Sequence, residues 1–428
     1  MELPFELSEI GVRGQSAIGL VAFVFIAWLF SSGKTRFPFF AAVWTIGAQI
    51  AIAALLLYLP PAREALKSLR AVVEALQAAT QVGTSFVFGY LGGADAPFEI
   101  TNQGAMFNFA FGALPLVIFF SGLSALLWHW GVLKFFVRGF AFVLEKIFRV
   151  GGAVALSAAA NTFLGQTEAP LMIRPYLERV SKSELFVIIT GGFATVAGSV
   201  MAIYAIILEN IDPSILGHII VASIISVPAA ILMAQVMIPA EKKEVPTPAD
   251  AADDFAYASS MDAFVRGVTD GLGLYLNIIA ALIAFTAFAA LINIMLGAAP
   301  DVAGEPITLE RILGLIFAPL MWLAGVPWNE AFDAGSLMGV KTAVNELVAY
   351  VRLAELPVDT FSERSFLIIV YSLCGFANFA SLGIVIGGLT VLAPGRRQDV
   401  IELAPRALIA GTLATLMTGA VIGLIWVG

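Results

Sequence analysis

Apolar residues in this chain come in long unbroken runs rather than at the spacing of soluble amphipathic helices. Eight runs, Gln15–Ser32, Pro38–Leu59, Met106–Leu133, Leu185–Leu208, Ile215–Ile238, Leu272–Leu296, Ser365–Leu392 and Ala404–Val427, reach the ~20 residues that a bilayer-crossing helix requires. Two further pairs of apolar segments are too short to cross. Val150–Leu164 and Ala169–Leu177 flank the polar cluster Gly165-Gln166-Thr167-Glu168, while Leu313–Val326 and Gly335–Tyr350 flank Pro327-Trp328-Asn329-Glu330. A helix of about 15 residues rises only about 22 Å, short of the ~30 Å hydrocarbon core. Each pair is therefore expected to form a re-entrant hairpin with a polar tip, tolerated only where protein or water covers the tip's backbone. The pattern predicts an all-α polytopic membrane protein of eight transmembrane helices and two re-entrant hairpins. Tyr58–Gly104 and Ala251–Asp270 mix charged with apolar residues and are expected along the interface; Lys242–Asp254 reads as a linker.

The chain also repeats itself. Span four contains Gly192-Phe193-Ala194-Thr195-Val196-Ala197 and span seven contains Gly375-Phe376-Ala377-Asn378-Phe379-Ala380. Upstream of each lies an acid beside a polar residue, Thr167-Glu168 and Asn345-Glu346, at separations of 24 and 29 residues from the glycine. Three spans between the hairpins make the second unit inverted relative to the first. Inverted repeats with glycine-interrupted apolar helices mark secondary transporters, whose site lies at the bilayer midplane. Of the 23 Lys and Arg residues, fifteen fall on the side of the connections after spans one, three, five and seven, and eight on the other. The positive-inside bias places both termini outside the cytoplasm, with the first hairpin entering from the cytoplasm and the second from outside. The first run is not read as a cleavable signal peptide, because Glu2, Glu6 and Glu9 precede it against a single Arg13.

Composition narrows the chemistry. The chain is 60% apolar and 13% charged over 428 residues, with a mean hydropathy of +0.93, about half the charge of a soluble domain. A net charge of −8 and a pI near 4.9 argue against nucleic acid as a partner. Two histidines and the lone Cys374, read as a small packing residue, leave no ligand set for zinc, haem or an iron–sulfur cluster. What remains is a small set of polar groups inside apolar runs. Ionised carboxylates in hydrocarbon are costly, so Glu168 and Glu346 are functional candidates. Asn161 lies one turn before Gly165. Gly191, Gly192, Thr195, Gly198 and Ser199 favour a break in span four that frees carbonyls, and with Asn161 they offer the oxygens a hard cation such as Na+ prefers. Gly375, Asn378, Ser381 and Gly383 mark a similar break in span seven, where Phe376 presents a flat apolar face. Lys341 is expected to approach Glu346 or Asn345 as a structural ion pair, and His218 to be a polar group on the surface of span five.

Three motifs, LGQTEAPLMIRPY (Leu164–Tyr176), VPWNEA…AGSLMGVKTAVNELVAY (Val326–Tyr350) and SLCGFANFASLGI (Ser372–Ile384), resemble the concentrative nucleoside transporter family, collinearly from about Met106 to the C-terminus. The resemblance implies a sodium-driven nucleoside importer of the inner membrane, a homotrimer, working by an elevator-like movement of a transport domain against a fixed scaffold. On that implication residues 1–133 hold scaffold spans one to three with an interfacial helix, and 134–239 the first transport repeat. Residues 240–297 hold a linker, an interfacial helix and scaffold span six, and 298–428 the second transport repeat. Residue by residue, Gln166, Thr167 and Glu168 would face the nucleobase, and Val200 and Phe376 would pack on it. Glu346, Asn378 and Ser381 would bind the ribose hydroxyls. Na+ would sit among the side chains of Asn161 and Thr195 and carbonyls near Leu164 and Val196.

Two other readings compete. A proton-coupled nucleoside symporter, or a carrier of another small polar solute, would keep the fold and change ion or cargo. An intramembrane enzyme would use paired acids in general acid–base work, but the chain has neither a Gly-x-Gly-Asp nor a His-Glu-x-x-His string, so no enzymatic activity is expected.

Overall fold

The computed structural model describes residues 7–33, 37–101, 108–148, 150–166, 168–240, 257–302, 304, 306–357 and 359–427. It is an all-helical polytopic membrane protein. Two helices, α1 (Leu7–Leu29) and α2 (Phe39–Tyr58), are followed by the 29-residue amphipathic α3 (Pro60–Phe88). The first repeat then runs through α4 (Leu116–His129, entered by a wide turn at Phe109–Ala113), α5 (Val132–Phe148), α6 (Gly152–Asn161), α7 (Arg174–Leu177), α8 (Lys182–Ala194) with α9 (Gly198–Leu208), and α10 (Ile215–Met237). The second comprises α11 (Ser260–Leu296), α12 (Leu309–Ala324), α13 (Trp328–Ala343), α14 (Glu346–Glu355), α15 (Glu363–Leu373) with α16 (Phe379–Leu392), and α17 (Arg397–Ile425). Packing repeats with the sequence: α5 against α6 is matched by α12 against α13, α6 against α8 by α13 against α15, and α8 against α17 by α15 against α10.

Among the described residues seven helices are long and apolar enough to cross a membrane, with α8 and α9 forming one of them. The eighth expected span is divided into α15 and α16. Both breaks fall where glycine and polar residues interrupt the apolar runs, at Thr195–Ala197 and Cys374–Asn378. Local chemistry fixes the starts of the halves. Ser181 and Glu184 form a reciprocal capping box that opens α8. Ser362 caps α15, Asn345 caps α14 and Asn378 caps α16, each accepting a bond from the backbone three residues on.

Two expectations need correction. The second hairpin does not turn at Pro327-Trp328-Asn329-Glu330. That segment joins α12 to α13 through Gly325 at φ +119°, a left-handed conformation that needs glycine, and Trp328 is exposed. The polar tip is Val344-Asn345, and the hairpin arms are α13 and α14. Residues Ser260–Asp270 are not a separate interfacial helix either. They are the first turns of α11, which Ser259 caps and which continues for 37 residues.

α4 and α11 meet almost backbone to backbone. A β-carbon at Gly267 would lie 2.6 Å from the Ser121 carbonyl oxygen, and one at Gly271 2.8 Å from the Cα of Ile118. Small residues four apart allow this closeness in a membrane, where association rests on van der Waals contact rather than hydrophobic expulsion. By contrast α1 packs on α10, α12 and α17, and α2 on α10 and α17. The Arg364 guanidinium binds α1 further in, donating to the carbonyls of Val12, Gly325 and Gly423 and to the Ser16 hydroxyl.

The breaks in the two repeats touch. The Phe376 amide donates to the Thr195 carbonyl at 3.3 Å. A β-carbon at Gly375 would lie 2.9 and 3.0 Å from the carbonyl oxygens of Phe193 and Ala194, and 2.6 Å from the Thr415 methyl. Gly375→Ala is therefore expected to cost about 1–3 kcal/mol, the range for overpacking a close-packed interior. Thermal unfolding in detergent checks it: an unchanged midpoint would mean that the backbones separate freely.

Candidate functional site

The polar groups from both repeats converge on one cavity of about 820 Å³, lined by Gln166 and Glu168 of the first hairpin, Val200 of α9, Glu346 of the second hairpin, and Phe376, Asn378 and Ser381 around the second break. Seven of the eight residues assigned to substrate are thus brought together; Thr167 lies outside the described residues. Gly165 adopts φ +106°, with Ala197 and the Glu168 carboxylate close to where a β-carbon would be. Only glycine folds the tip this tightly.

Glu346 is the first residue of α14, where the helix dipole favours an anion. The residue is 5% exposed. Tyr204 donates its hydroxyl to one carboxylate oxygen at 2.7 Å, and the Asn378 amide donates to the other at 2.7 Å. Asn378 in turn accepts from the Ser381 amide at 2.7 Å, which fixes the amide's orientation. A carboxylate has about four lone-pair sites, so two remain to accept hydroxyl hydrogens from a ligand. Across the cavity, Gln166 Oε1 is buried and accepts no hydrogen bond. An orphaned acceptor in such a place calls for a donor from a ligand. Glu168 also lines an adjoining cavity of about 620 Å³ that contains Ser121, Ser124, Tyr257 and Asp270.

A second polar cluster joins the first hairpin to the break in span four. Asn161, the last residue of α6, donates through Nδ2 to the Gly191 carbonyl at 2.8 Å and to Thr195 Oγ1 at 2.5 Å. The Gly198 amide donates to the Phe163 carbonyl at 3.2 Å. Asn161 and Thr195 are buried, at 3% and 1% exposure, and Val196 is fully buried. Asn161 Oδ1 has no hydrogen-bond partner. This donor set is made of neutral oxygens with one acceptor unsatisfied, and it fits a monovalent cation. Among the described residues no group of three His, Cys, Asp or Glu could hold a transition metal.

Several participants were not foreseen. The Tyr204 ring lies tilted against that of Tyr350, centroids 4.5 Å apart, and the Tyr350 hydroxyl donates to the Val370 carbonyl. Leu114, between the Phe109–Ala113 turn and the start of α4, and Leu274, Asn277 and Ile278 of α11 form the opposite cavity wall. Each sits inside an uninterrupted apolar stretch, so only tertiary packing reveals it. Lys341 does not pair with Glu346 or Asn345. Its ammonium donates to the Ser372 carbonyl at 2.8 Å and to Thr415 Oγ1 at 3.0 Å. His218 is buried rather than on a helix surface, and its Nδ1 lies 3.1 Å from the Tyr371 hydroxyl. Cys374 is fully buried, as expected of a packing residue.

Comparison with known proteins agrees with this architecture. Residues 18–91 and 218–423 match the N- and C-terminal models of the Na+ dependent nucleoside transporter family, and residues 110–210 match a nucleoside recognition domain. The chain is 36% identical to the nucleoside permease NupC of Helicobacter pylori, over 96% of this chain and 97% of that one. It is 39% identical to an uncharacterized transporter of Haemophilus influenzae, over 96% and 97%. Against mouse solute carrier family 28 member 3 it is 35% identical, over 95% of this chain and 58% of that longer protein. A solved structure of CNTnw in an inward-facing substrate-bound state superposes with a TM-score of 0.86 at 36% identity, covering 96% of this chain and 98% of that one. A pocket lined by buried carboxylate and amide groups, an adjoining cluster of neutral oxygens and these matches over nearly the whole length lead to one assignment: the chain belongs to the concentrative nucleoside transporter family, described as Na+ dependent nucleoside transporters, which are membrane permeases and not enzymes.

Proposed function

We propose that this chain is a sodium-driven symporter that imports nucleosides across the inner membrane, as a homotrimer with both termini extracytoplasmic. The observation that carries the reading is the single cavity bounded by Gln166 and Glu168 on one hairpin and Glu346, Asn378 and Ser381 on the opposite repeat. A nucleoside joins a flat base to a polar sugar. Glu346, Asn378 and Ser381 take the ribose hydroxyls, through charge-assisted bonds about twice as strong as neutral ones. Gln166, Thr167 and Glu168 read the edge of the base, and Val200 and Phe376 cover its face.

Asn161 Oδ1, the Thr195 hydroxyl and the carbonyls of Leu164 and Val196 hold the coupling Na+. These groups tie the first hairpin to the break in span four, so an ion there orders the tip that carries Gln166 and Glu168. Ion and nucleoside then raise each other's affinity by the same factor. The membrane potential adds about 2.3 kcal/mol per charge per 100 mV.

The close α4–α11 contact supports a stationary wall, and the two hairpins, the broken spans, α10 and α17 form the body that travels past it. Spans one and two, as α1 and α2, belong to the scaffold in this reading and pack on α10, α12 and α17 of the travelling body. The exposed apolar face of α11, with Ile283, Phe288, Leu291 and Ile294, suits lipid or neighbouring protomers.

The test is uridine uptake into proteoliposomes under an inward Na+ gradient at constant pH, compared with a pH gradient without Na+. Accumulation under the Na+ gradient, competed by other nucleosides, is expected. Accumulation under the pH gradient alone would transfer the coupling to protons, and uptake that no nucleoside competes would refute the cargo.

A further inference from the structure

Lys341 is the one fully buried lysine among the described residues, and neither the cavity nor the sodium cluster uses it. An ammonium withdrawn from water costs several kcal/mol unless strong partners replace its hydration. Its partners here are a carbonyl and a hydroxyl rather than a carboxylate. The carbonyl belongs to Ser372, in the last turn of α15.

A helix leaves its last four carbonyls without intrahelical partners, and its dipole is negative at that end. In α15 all four are taken. Val370 accepts from the Tyr350 hydroxyl at 2.7 Å, Tyr371 from the Cys374 amide at 3.3 Å, and Leu373 from the Gly375 amide at 2.8 Å. Ser372 accepts from Lys341. The hydroxyl partner, Thr415, passes its own proton to the Thr412 carbonyl, so its oxygen is free to receive the ammonium.

The inverted repeat gives this arrangement its meaning. α13 corresponds to α6, and α15 to α8. In the first repeat the last residue of α6, Asn161, reaches the Gly191 carbonyl in the last turn of α8, and keeps an unpaired acceptor where the reading above puts Na+. In the second repeat Lys341, in the last turn of α13, reaches the corresponding turn of α15. One repeat presents a vacant acceptor at the negative end of a broken span. The other presents a cation of its own.

We propose that the Lys341 ammonium is a tethered internal counterpart of the coupling sodium: it fixes the C-terminal end of α15, and through it the break that positions Phe376 and Asn378, so that one exchangeable ion suffices. Lys341 is a positioning residue, separated from the ligand by the break it holds. The inference rests on the sodium assignment in the first repeat. Ser372 Oγ, buried and without a partner, is an additional oxygen that an ion could use if the ammonium were removed.

The experiment measures uridine affinity of the purified full-length protein against Na+ concentration. Wild type is expected to show a Hill coefficient near 1. Lys341→Gln, which puts a neutral oxygen in place of the ammonium, is expected to bind uridine at least tenfold more weakly at a Na+ concentration saturating for wild type, with the coefficient rising towards 2. Lys341→Arg keeps the charge and should stay near 1. In Lys341→Ala, added n-propylammonium should restore at least part of the lost affinity, which a purely space-filling role would not allow. Thr415→Val removes one of the two acceptors at constant volume and should weaken uridine binding three- to tenfold. Wild-type affinity and a coefficient near 1 in Lys341→Gln would overturn the proposal, as would losses that neither arginine nor propylammonium relieves. If the Lys341 variants do not fold, an unchanged Kd in Thr415→Val overturns it. Sodium-independent binding by wild type would instead overturn the coupling assignment, which the uridine affinities of the variants do not depend on.

Discussion

Glu346→Gln is expected to reduce nucleoside uptake by roughly 10²–10⁴-fold while leaving the protein folded. A hydrogen bond to a charged group contributes about 1.5–3 kcal/mol, and the ribose offers two hydroxyls, so the loss approaches about 3–6 kcal/mol at about 1.4 kcal/mol per tenfold. The fold tolerates the change because glutamine retains the shape. Its carbonyl can still accept from Asn378, whose orientation is pinned by the Ser381 amide, and the Tyr204 hydroxyl can rotate to accept from the new amide. The sugar loses its charge-assisted bonds, because a neutral amide offers one acceptor oxygen where the carboxylate offered two. The measurement pairs uridine uptake in proteoliposomes with thermal unfolding. Uptake within threefold of wild type in a folded variant would remove Glu346 from the ribose site.

Replacing Na+ by choline is expected to raise the nucleoside Kd by about 5–150-fold, the span of a 1–3 kcal/mol coupling. On the proposed assignment the ion joins two segments that, among the described residues, are hydrogen-bonded through Asn161 and through the Gly198 amide to the Phe163 carbonyl. In Asn161→Ala the side-chain oxygen is gone, and the ratio of Kd in choline to Kd in Na+ should fall below about threefold. Calorimetric titration in the two salts reads both numbers. Equal affinities in wild type would show that sodium does not order the first hairpin, and an unchanged ratio in Asn161→Ala would place the ion elsewhere.

Much of this was legible in the chain itself, for physical reasons that differ from element to element. Membrane spans must satisfy their backbone internally and carry apolar side chains whether they face lipid or neighbouring helices, so runs such as Ile215–Ile238, most of which is buried, are hard to misread. The breaks were visible because glycine with Thr195 or Asn378 cannot sit quietly in hydrocarbon. Glu168 and Glu346 stood out through the cost of their charge. The sequence points to the wrong tip for the second hairpin because Pro327-Trp328-Asn329-Glu330 carries every local sign of a turn and does make one, between α12 and α13. The true tip at Val344-Asn345 contains neither glycine nor proline, and its signal is a single capping asparagine. The start of α11 was hidden by Asp262, Arg266 and Asp270, whose charges suggest an interface although the helix runs through them.

Side chains whose role depends on a neighbour far along the chain were beyond reach. Lys341 precedes Glu346 by five residues, which suggests a pair. The chain breaks between them, however, and α13 turns the ammonium towards α15 and α17. Tyr204 is an unremarkable aromatic in an apolar span until it meets a carboxylate 142 residues later. His218 has the sequence setting of a surface residue, and only the packing of Tyr371 and Trp426 around it removes it from solvent.

Asn277 stands on the α11 side of the pocket, opposite residues that the proposed movement assigns to the travelling body. A blocker of this carrier therefore need not outcompete its cargo on sugar contacts alone. A base-modified compound with one arm for the hairpins and another for the Asn277 amide would staple the two bodies together, and tight binding would then become arrest rather than passage.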